Sequence, residues 1–237
     1  MIKAVLFDLD GTLLPMDQEA FTKGYFKELA KALCPLGIAA DALIGAVWRG
    51  TEAMVKNDGS MSNAERFWAS FRESTGADEA RVRAFRQASD AFYAGAFHQA
   101  RRYAGENPLA VEAVRLASQG GRKVALATNP LFPMAGQRTR MSWIGLAERD
   151  FALVTSYESD WWCKPNPRYY TEVCARLGLP PEECLMIGND DREDMAAATE
   201  AGLSCYLVED CEIPWNVHPW QGARGSFRQM LEMLKKL

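Results

Sequence analysis

Two aspartates, Asp8 and Asp10, end a short apolar run, Ala4-Val5-Leu6-Phe7, and are followed at once by Gly11-Thr12. Carboxylates held this close repel, so that one keeps its proton or a cation sits beside them. A hard dication such as Mg²⁺, which takes oxygen ligands, resolves the conflict. The run suits a strand buried on both faces, as in a parallel α/β sheet, although so short a run also suits the start of a helix; Gly11 favours the strand. In open α/β sheets ligands bind beyond the carboxyl ends of the strands, where Asp8 falls. Taken alone, D-x-D-G-T equally describes a turn with two solvated acids. Three later segments bear on that choice. Lys123 to Pro130 is an apolar strand that ends in Thr128 and Asn129; Lys164 precedes Pro165-Asn166-Pro167; and Cys184 to Gly188 runs into Asn189-Asp190-Asp191-Arg192-Glu193-Asp194. Singly, Thr128 is also an ordinary β-branched strand residue, and Lys164 an ordinary solvated lysine.

The elements that must position these residues fall into two textures. Asp17 caps a helix with Phe21, Tyr25, Leu29 and Leu33 at spacings of four, ended by Pro35 and Gly37. Asp41 to Lys56 is a second helical stripe. Ser62-Asn63-Ala64-Glu65 has the form of a capping box and opens a third, with Phe67, Trp68 and Phe71; Asp78 to Ala94 is the fourth. No strand pattern interrupts them. From Pro108 onward helix and strand alternate, with a helix over 134–145, strands over 151–156, 184–188 and 204–208, and a final helix over 225–237. The fold expected is α/β, a doubly wound, Rossmann-like parallel sheet made of residues 1–14 and 106–237, with residues 15–105 inserted as a helical cap.

In this order, the four segments resemble the signature motifs of the haloacid dehalogenase superfamily of phosphohydrolases. The resemblance covers Ala4 to Thr12 and roughly Lys123 to Val208, and the helical insert occupies the place of that family's type 1 cap. It implies Asp8 as the nucleophile that forms an aspartyl phosphate. Asp10 would protonate the leaving oxygen and then take a proton from water. Thr128 and Asn129 would bind the phosphoryl group, and Lys164 would stabilise its charge. Mg²⁺ would rest on Asp8, the Asp10 main-chain carbonyl and an acid of the last loop. Many relatives read Gly-Asp in that loop, whereas this chain reads Gly188-Asn189-Asp190. Asp190 is the favoured ligand, because a neutral amide leaves one fewer negative charge for the ion. Asp191 is expected to be solvated, and Asp194 to brace Lys164 or metal waters.

The expected function is therefore an Mg²⁺-dependent phosphomonoesterase acting on a small phosphorylated metabolite. The alternatives are a 2-haloacid dehalogenase, which Asp10 disfavours because a departing halide needs no proton, a phosphoryl-accepting receiver domain, which is usually half this length, and a noncatalytic scaffold. A formal net charge of -4 gives no electrostatic case for nucleic acid or an anionic membrane as partner. No apolar run approaches ~18 residues, and the start does not form a signal peptide, so a cytoplasmic protein is expected; a monomer or weak homodimer is the expected assembly. The six cysteines form no C-x-x-C pair, and the two histidines, His98 and His218, lie in unrelated contexts, which argues against zinc, redox and Ser-His-Asp chemistry. Trp161, Trp162, Arg138 and Arg140 lie beside motif segments as possible substrate contacts. Trp48, Trp68 and Phe71 are expected mostly in the core of the cap, and polar neighbours such as Arg49 and Thr51 are better candidates than these to face the active site.

Overall fold

Ala4–Phe7 form strand β1, every residue of it wholly buried. The computed structural model describes all 237 residues. Strands β2 (Lys123–Leu126), β3 (Leu153–Val154), β4 (Cys184–Gly188), β5 (Ser204–Val208) and β6 (Arg224–Gly225) complete a sheet of order β3-β2-β1-β4-β5-β6. All its pairings are parallel. Phe7 lies opposite Leu126 on one side and Ile187 on the other, so the residues just beyond these three emerge at one edge. This is the switch point of a doubly wound sheet, where the chain on either side of β1 runs outward in opposite directions.

Period-2 alternation divides the strand side chains between two layers. Val5, Phe7, Leu126 and Ile187 pack on one face with helices α5 (Ala110–Ala117) and α9 (Phe227–Leu234), while Ala4, Leu6 and Met186 pack on the other with Tyr169, Tyr170 and Val173 of α7 (Pro167–Leu177). A strand buried on both faces has no polar side to show, which is why Ala4 to Phe7 read as a continuous apolar run.

Between β1 and α5 stand four helices, α1 (Gln18–Leu33), α2 (Ala40–Val55), α3 (Asn63–Thr75) and α4 (Glu79–Ala94), then a tighter helical stretch over Ala96–Tyr103. Asp17 accepts from the Ala20 amide, and Ser62 and Glu65 close a reciprocal capping box, so both starts are fixed by side chains. Tyr25 sits at the centre of an aromatic cluster with Phe92, Phe97 and, from the sheet unit, Phe132; Phe21 and Phe97 also meet Trp143. The chain enters and leaves the insert side by side, the Gly105 amide donating to the Pro15 carbonyl at 2.6 Å and Met16 pairing with Ala104. No single helix is long and apolar enough to cross a membrane.

Three expectations change. The strand expected over 151–156 is only Leu153–Val154, because Thr155 turns its hydroxyl onto the Thr128 carbonyl and Ser156 enters a turn held by Asp160. The terminal helix begins at Phe227, since Arg224 and Gly225 add an edge strand and Ser226 is the cap. The segment after β4 opens as a π-turn over Asp191–Ala196 before α8 (Ala197–Glu200), the Met195 amide reaching back five residues to the Asp190 carbonyl at 3.1 Å. Such turns occur frequently at functional sites.

Candidate active site

Asp8 continues the ladder of β1 for one more residue, its amide donating to the Ile187 carbonyl at 2.9 Å, and this fixes where its carboxylate emerges. Lys164 Nζ donates to Asp8 Oδ1 at 2.8 Å and to Asp194 Oδ1 at 2.6 Å, and all three residues are buried. Burial alone would push the Lys164 ammonium toward neutrality; Asp194 and Asp8 outweigh it and hold the group well above the ordinary lysine range. Burial pushes the Asp8 carboxyl up to about 7 against the pull of Lys164, with Asp194 and Asp10 adding to the rise. In the loop that carries Lys164, the Lys164–Pro165 bond is cis, and Asn166 caps α7 by accepting from the Arg168 amide at 3.0 Å.

The other acid of the first turn has a different partner. Asp10 Oδ2 is bonded by Nη1 of Arg140, a fully buried arginine on α6 (Met134–Trp143). Arg140 Nη2 in turn donates to Gln137 Oε1, and the guanidinium lies 4.1 Å from the centre of the Phe132 ring. Asp10 Oδ1 and Arg140 Nε are buried without a partner. The Asp10 carbonyl accepts from Gln18 Nε2 at 3.3 Å.

Gly11 is required by a close approach. Its φ is +92°, and a Cβ there would lie 2.3 Å from Asn189 Nδ2. Asn189 uses that closeness as a staple, accepting from Thr12 Oγ1 at 2.9 Å and donating to the Cys211 carbonyl at 2.7 Å. Both ends of its amide are therefore engaged. Asp190 Oδ1 accepts from the Arg192 and Glu193 amides at 2.8 and 2.7 Å. Asp194 Oδ2 accepts from the Asn189 and Asp190 amides at 3.0 and 3.1 Å, so Asp194 ties the last loop to Lys164.

On the other flank, the Thr128 carbonyl accepts from Thr155 Oγ1 and Tyr169 OH at 2.7 and 2.9 Å. Asn129 Oδ1 accepts from the Lys164 amide at 3.2 Å, and its Nδ2 donates to Glu193 Oε2 at 2.9 Å. Asp8, Asp10, Thr128, Asn129 and Asp190 all face one cavity of about 380 Å³ between the sheet mouth and helices α1 to α4, with Lys164 directly behind Asp8. Five carboxylates gather here, those of Asp8, Asp10, Asp190, Glu193 and Asp194, against the two cations Lys164 and Arg140.

Several expectations are corrected. Asp191 is buried rather than solvated, its Oδ2 accepting from the Trp215 and Trp220 amides at 3.2 and 3.1 Å to hold the loop between β5 and β6. Trp161 and Trp162 lie beside Gly59 and Arg176, away from the cavity. Arg138 pairs with Glu148 at the surface, and Arg49 with Ser74, whereas Thr51 does line the cavity. Trp68 and Phe71 are buried as expected, but Trp48 is 52% exposed. All six cysteines are free.

Residues 2–202 match the family model of haloacid dehalogenase-like hydrolases. The chain belongs to this family. It is 28% identical over 203 residues, 86% of its own length and 82% of the relative's, to glyceraldehyde 3-phosphate phosphatase of Methanopyrus kandleri. It is 29% identical over 237 aligned positions to phosphoserine phosphatase of Thermus thermophilus, covering 88% and 89% of the two chains. In fold it is similar to 2-haloacid dehalogenase from Pseudomonas syringae pv. Tomato, with a TM-score of 0.66 at 19% identity over 100% and 99% of the chains. In this haloacid dehalogenase-like hydrolase, sequence reasoning had no role for Glu193, Tyr169 or Thr155. Glu193 stood inside the acidic run after Gly188, and the hydroxyls had no signal, because their work is to hold the Thr128 main chain.

Proposed function

We propose that this hydrolase is an Mg²⁺-dependent phosphomonoesterase that acts on a small phosphorylated metabolite through an aspartyl phosphate on Asp8. The observation that carries the reading is Asp8 at the strand mouth, bonded by Lys164, with a second carboxylate, Asp10, on the same turn. Its likeness to two phosphatases supports the same direction. Residues 15–105 serve as the cap over a core of 1–14 and 106–237, and the protein works in the cytoplasm as a monomer or weak homodimer.

Asp8 attacks phosphorus with one carboxylate oxygen as the ester oxygen departs on the opposite side, which divides one difficult displacement into two easier ones. Thr128, through its hydroxyl, and Asn129, through its main-chain N–H, contact phosphoryl oxygens, since the Asn129 side chain is held by the Lys164 amide and Glu193. Lys164 sets a fixed ammonium against the charge that grows on them, at no reorganisation cost because Asp194 already holds it in place. Asp10 donates its proton to the leaving oxygen, then accepts one from the water that attacks the aspartyl phosphate.

The acid set fits a divalent cation. The mouth carries more carboxylates than cations, and a cation there would ease the rise that burial first, and Asp194 and Asp10 after it, impose on the Asp8 carboxyl. No three acidic, histidine or cysteine side chains converge as a ready-made cage, so Mg²⁺ would rest on the Asp8 and Asp190 carboxylates, the Asp10 carbonyl and water. When bound it neutralises and orients the phosphoryl oxygens. Asn189 is not free to join, since Thr12 and the Cys211 carbonyl occupy its amide.

A 2-haloacid dehalogenase shares the fold, but nothing in that reaction uses an acid at Asp10. Release of inorganic phosphate from a panel of esters, with Mg²⁺ and with chelator, tests the reading. Phosphate release that needs Mg²⁺ and is lost in Asp8→Asn is expected; chloride release from a 2-chloroacid without metal would reverse it.

A further inference from the structure

We infer that the alcohol part of the substrate is uncharged and largely apolar, an aromatic or branched alkyl group, unlike the carboxylate-bearing phosphoserine; this rests on the phosphomonoesterase reading. Every ionisable acid that faces it, Asp8, Asp10, Asp190, Glu193 and Asp194, belongs to the floor at the strand ends. The roof, contributed by α1 to α4, presents no acidic or basic side chain at all. It is built of rings and branched chains, among them Phe21, Val47, Phe67, Trp68 and Phe71. Its polar groups are neutral and partly engaged. Tyr25 and Tyr93 bond each other through their hydroxyls at 2.6 Å, and the Thr51 hydroxyl donates to the Val47 carbonyl at 3.0 Å.

No lysine or arginine lines the cavity, and the two cations beside its floor are held by carboxylates. Lys164 is held by Asp8 and Asp194, and Arg140 by Asp10. In the insert, Arg66 pairs with Asp58, Arg102 with Glu28, and Arg81 donates to the Gly37 carbonyl. Arg86 lies 5.2 Å from the centre of the Trp68 ring but does not line the cavity. A carboxylate or a second phosphate on the substrate would thus be desolvated against aromatic rings without a partner, which is heavily penalised. An aryl or alkyl group instead gains by burial there, and edge-to-face geometry is already the habit of this roof, as between Phe67 and Trp68. At about 380 Å³ the cavity has the capacity of a small-molecule site rather than of a macromolecular ester.

The test compares unactivated alkyl phosphates whose alcohols differ in charge, so that leaving-group chemistry is held nearly constant. With Mg²⁺ present, 2-phenylethyl phosphate should show kcat/KM at least about 100-fold above phosphoserine and phosphoglycolate, given what an unpaired buried charge forfeits. Binding without turnover gives a second readout. 2-Phenylethylphosphonate should change the tryptophan fluorescence, since Trp48 and Trp68 line the cavity, at concentrations where phosphonopropionate does not. Thr51→Lys, which places a cation in the roof, should narrow the preference by at least about tenfold. Equal or faster turnover of phosphoserine or phosphoglycolate, or tighter binding of the carboxylated phosphonate, overturns the inference and leaves the phosphatase reading intact. Failure to release phosphate from any of these esters or from 4-nitrophenyl phosphate overturns the phosphatase reading, and the inference with it.

Discussion

Arg140 holds Asp10 from behind, its guanidinium wholly buried, bonded to Asp10 Oδ2 through Nη1 and lying 4.1 Å from the Phe132 ring centre. The contact aims an acid whose proposed work is to meet the leaving oxygen. Arg140→Lys keeps a charge but loses the planar fork that grips Asp10 and Gln137 together. On alkyl phosphates kcat should fall by roughly 10- to 100-fold, while an aryl ester whose leaving group needs no proton is nearly spared. Losses of equal size on both ester classes would remove the positioning role.

The last loop divides its labour between neighbours. Asn189→Ala strands the Thr12 hydroxyl and the Cys211 carbonyl and should cost about 1–3 kcal/mol of stability in denaturant unfolding, with little effect on the Mg²⁺ requirement. Asp190→Ala should raise the Mg²⁺ concentration for half-maximal activity, losing about 1 kcal/mol of cap energy beside it. The reverse pattern would place Asn189 in the metal shell.

Metal-free protein should carry a distinctive pH slope. Burial raises the Asp8 and Glu193 carboxyls from 3.8 and 4.5 to about 7, so between those values the folded chain holds protons that the unfolded chain has released. These two groups therefore contribute a loss of stability as pH rises from about 4 to about 7. In chelator the thermal midpoint should drop across this window. Mg²⁺ should reduce the drop, and Asp8→Asn should make the slope shallower. A midpoint that climbs through the window in chelator contradicts the assignment.

The parts legible in the sequence are those whose signal is local. Ala4 to Phe7 announce a doubly buried strand by continuous apolarity, Ser62 and Glu65 a helix start by their spacing, and Asp8, Thr128 and Asp190 share the mouth, with Lys164 behind Asp8, because each ends a strand or its loop. What escaped is decided by distant partners. Asp191 looks like any loop acid until residues 215 and 220 bring two amides onto it, and Arg140, beside Gln137 on an apparently polar helix, shows no inward preference until Asp10 supplies its countercharge. The edge strand Arg224–Gly225 is likewise too short to carry a periodicity and exists by pairing with Leu207 and Val208.

Acid-quenching the protein during turnover of a phosphate ester with Mg²⁺, and mapping the bound phosphoryl group by peptide mass, identifies the nucleophile. A hydroxylamine-sensitive phosphoryl group is expected on the peptide that carries Asp8, with neither that adduct nor turnover in Asp8→Asn. Sustained turnover by Asp8→Asn, or a phosphoryl group on another residue, would contradict Asp8 as the nucleophile.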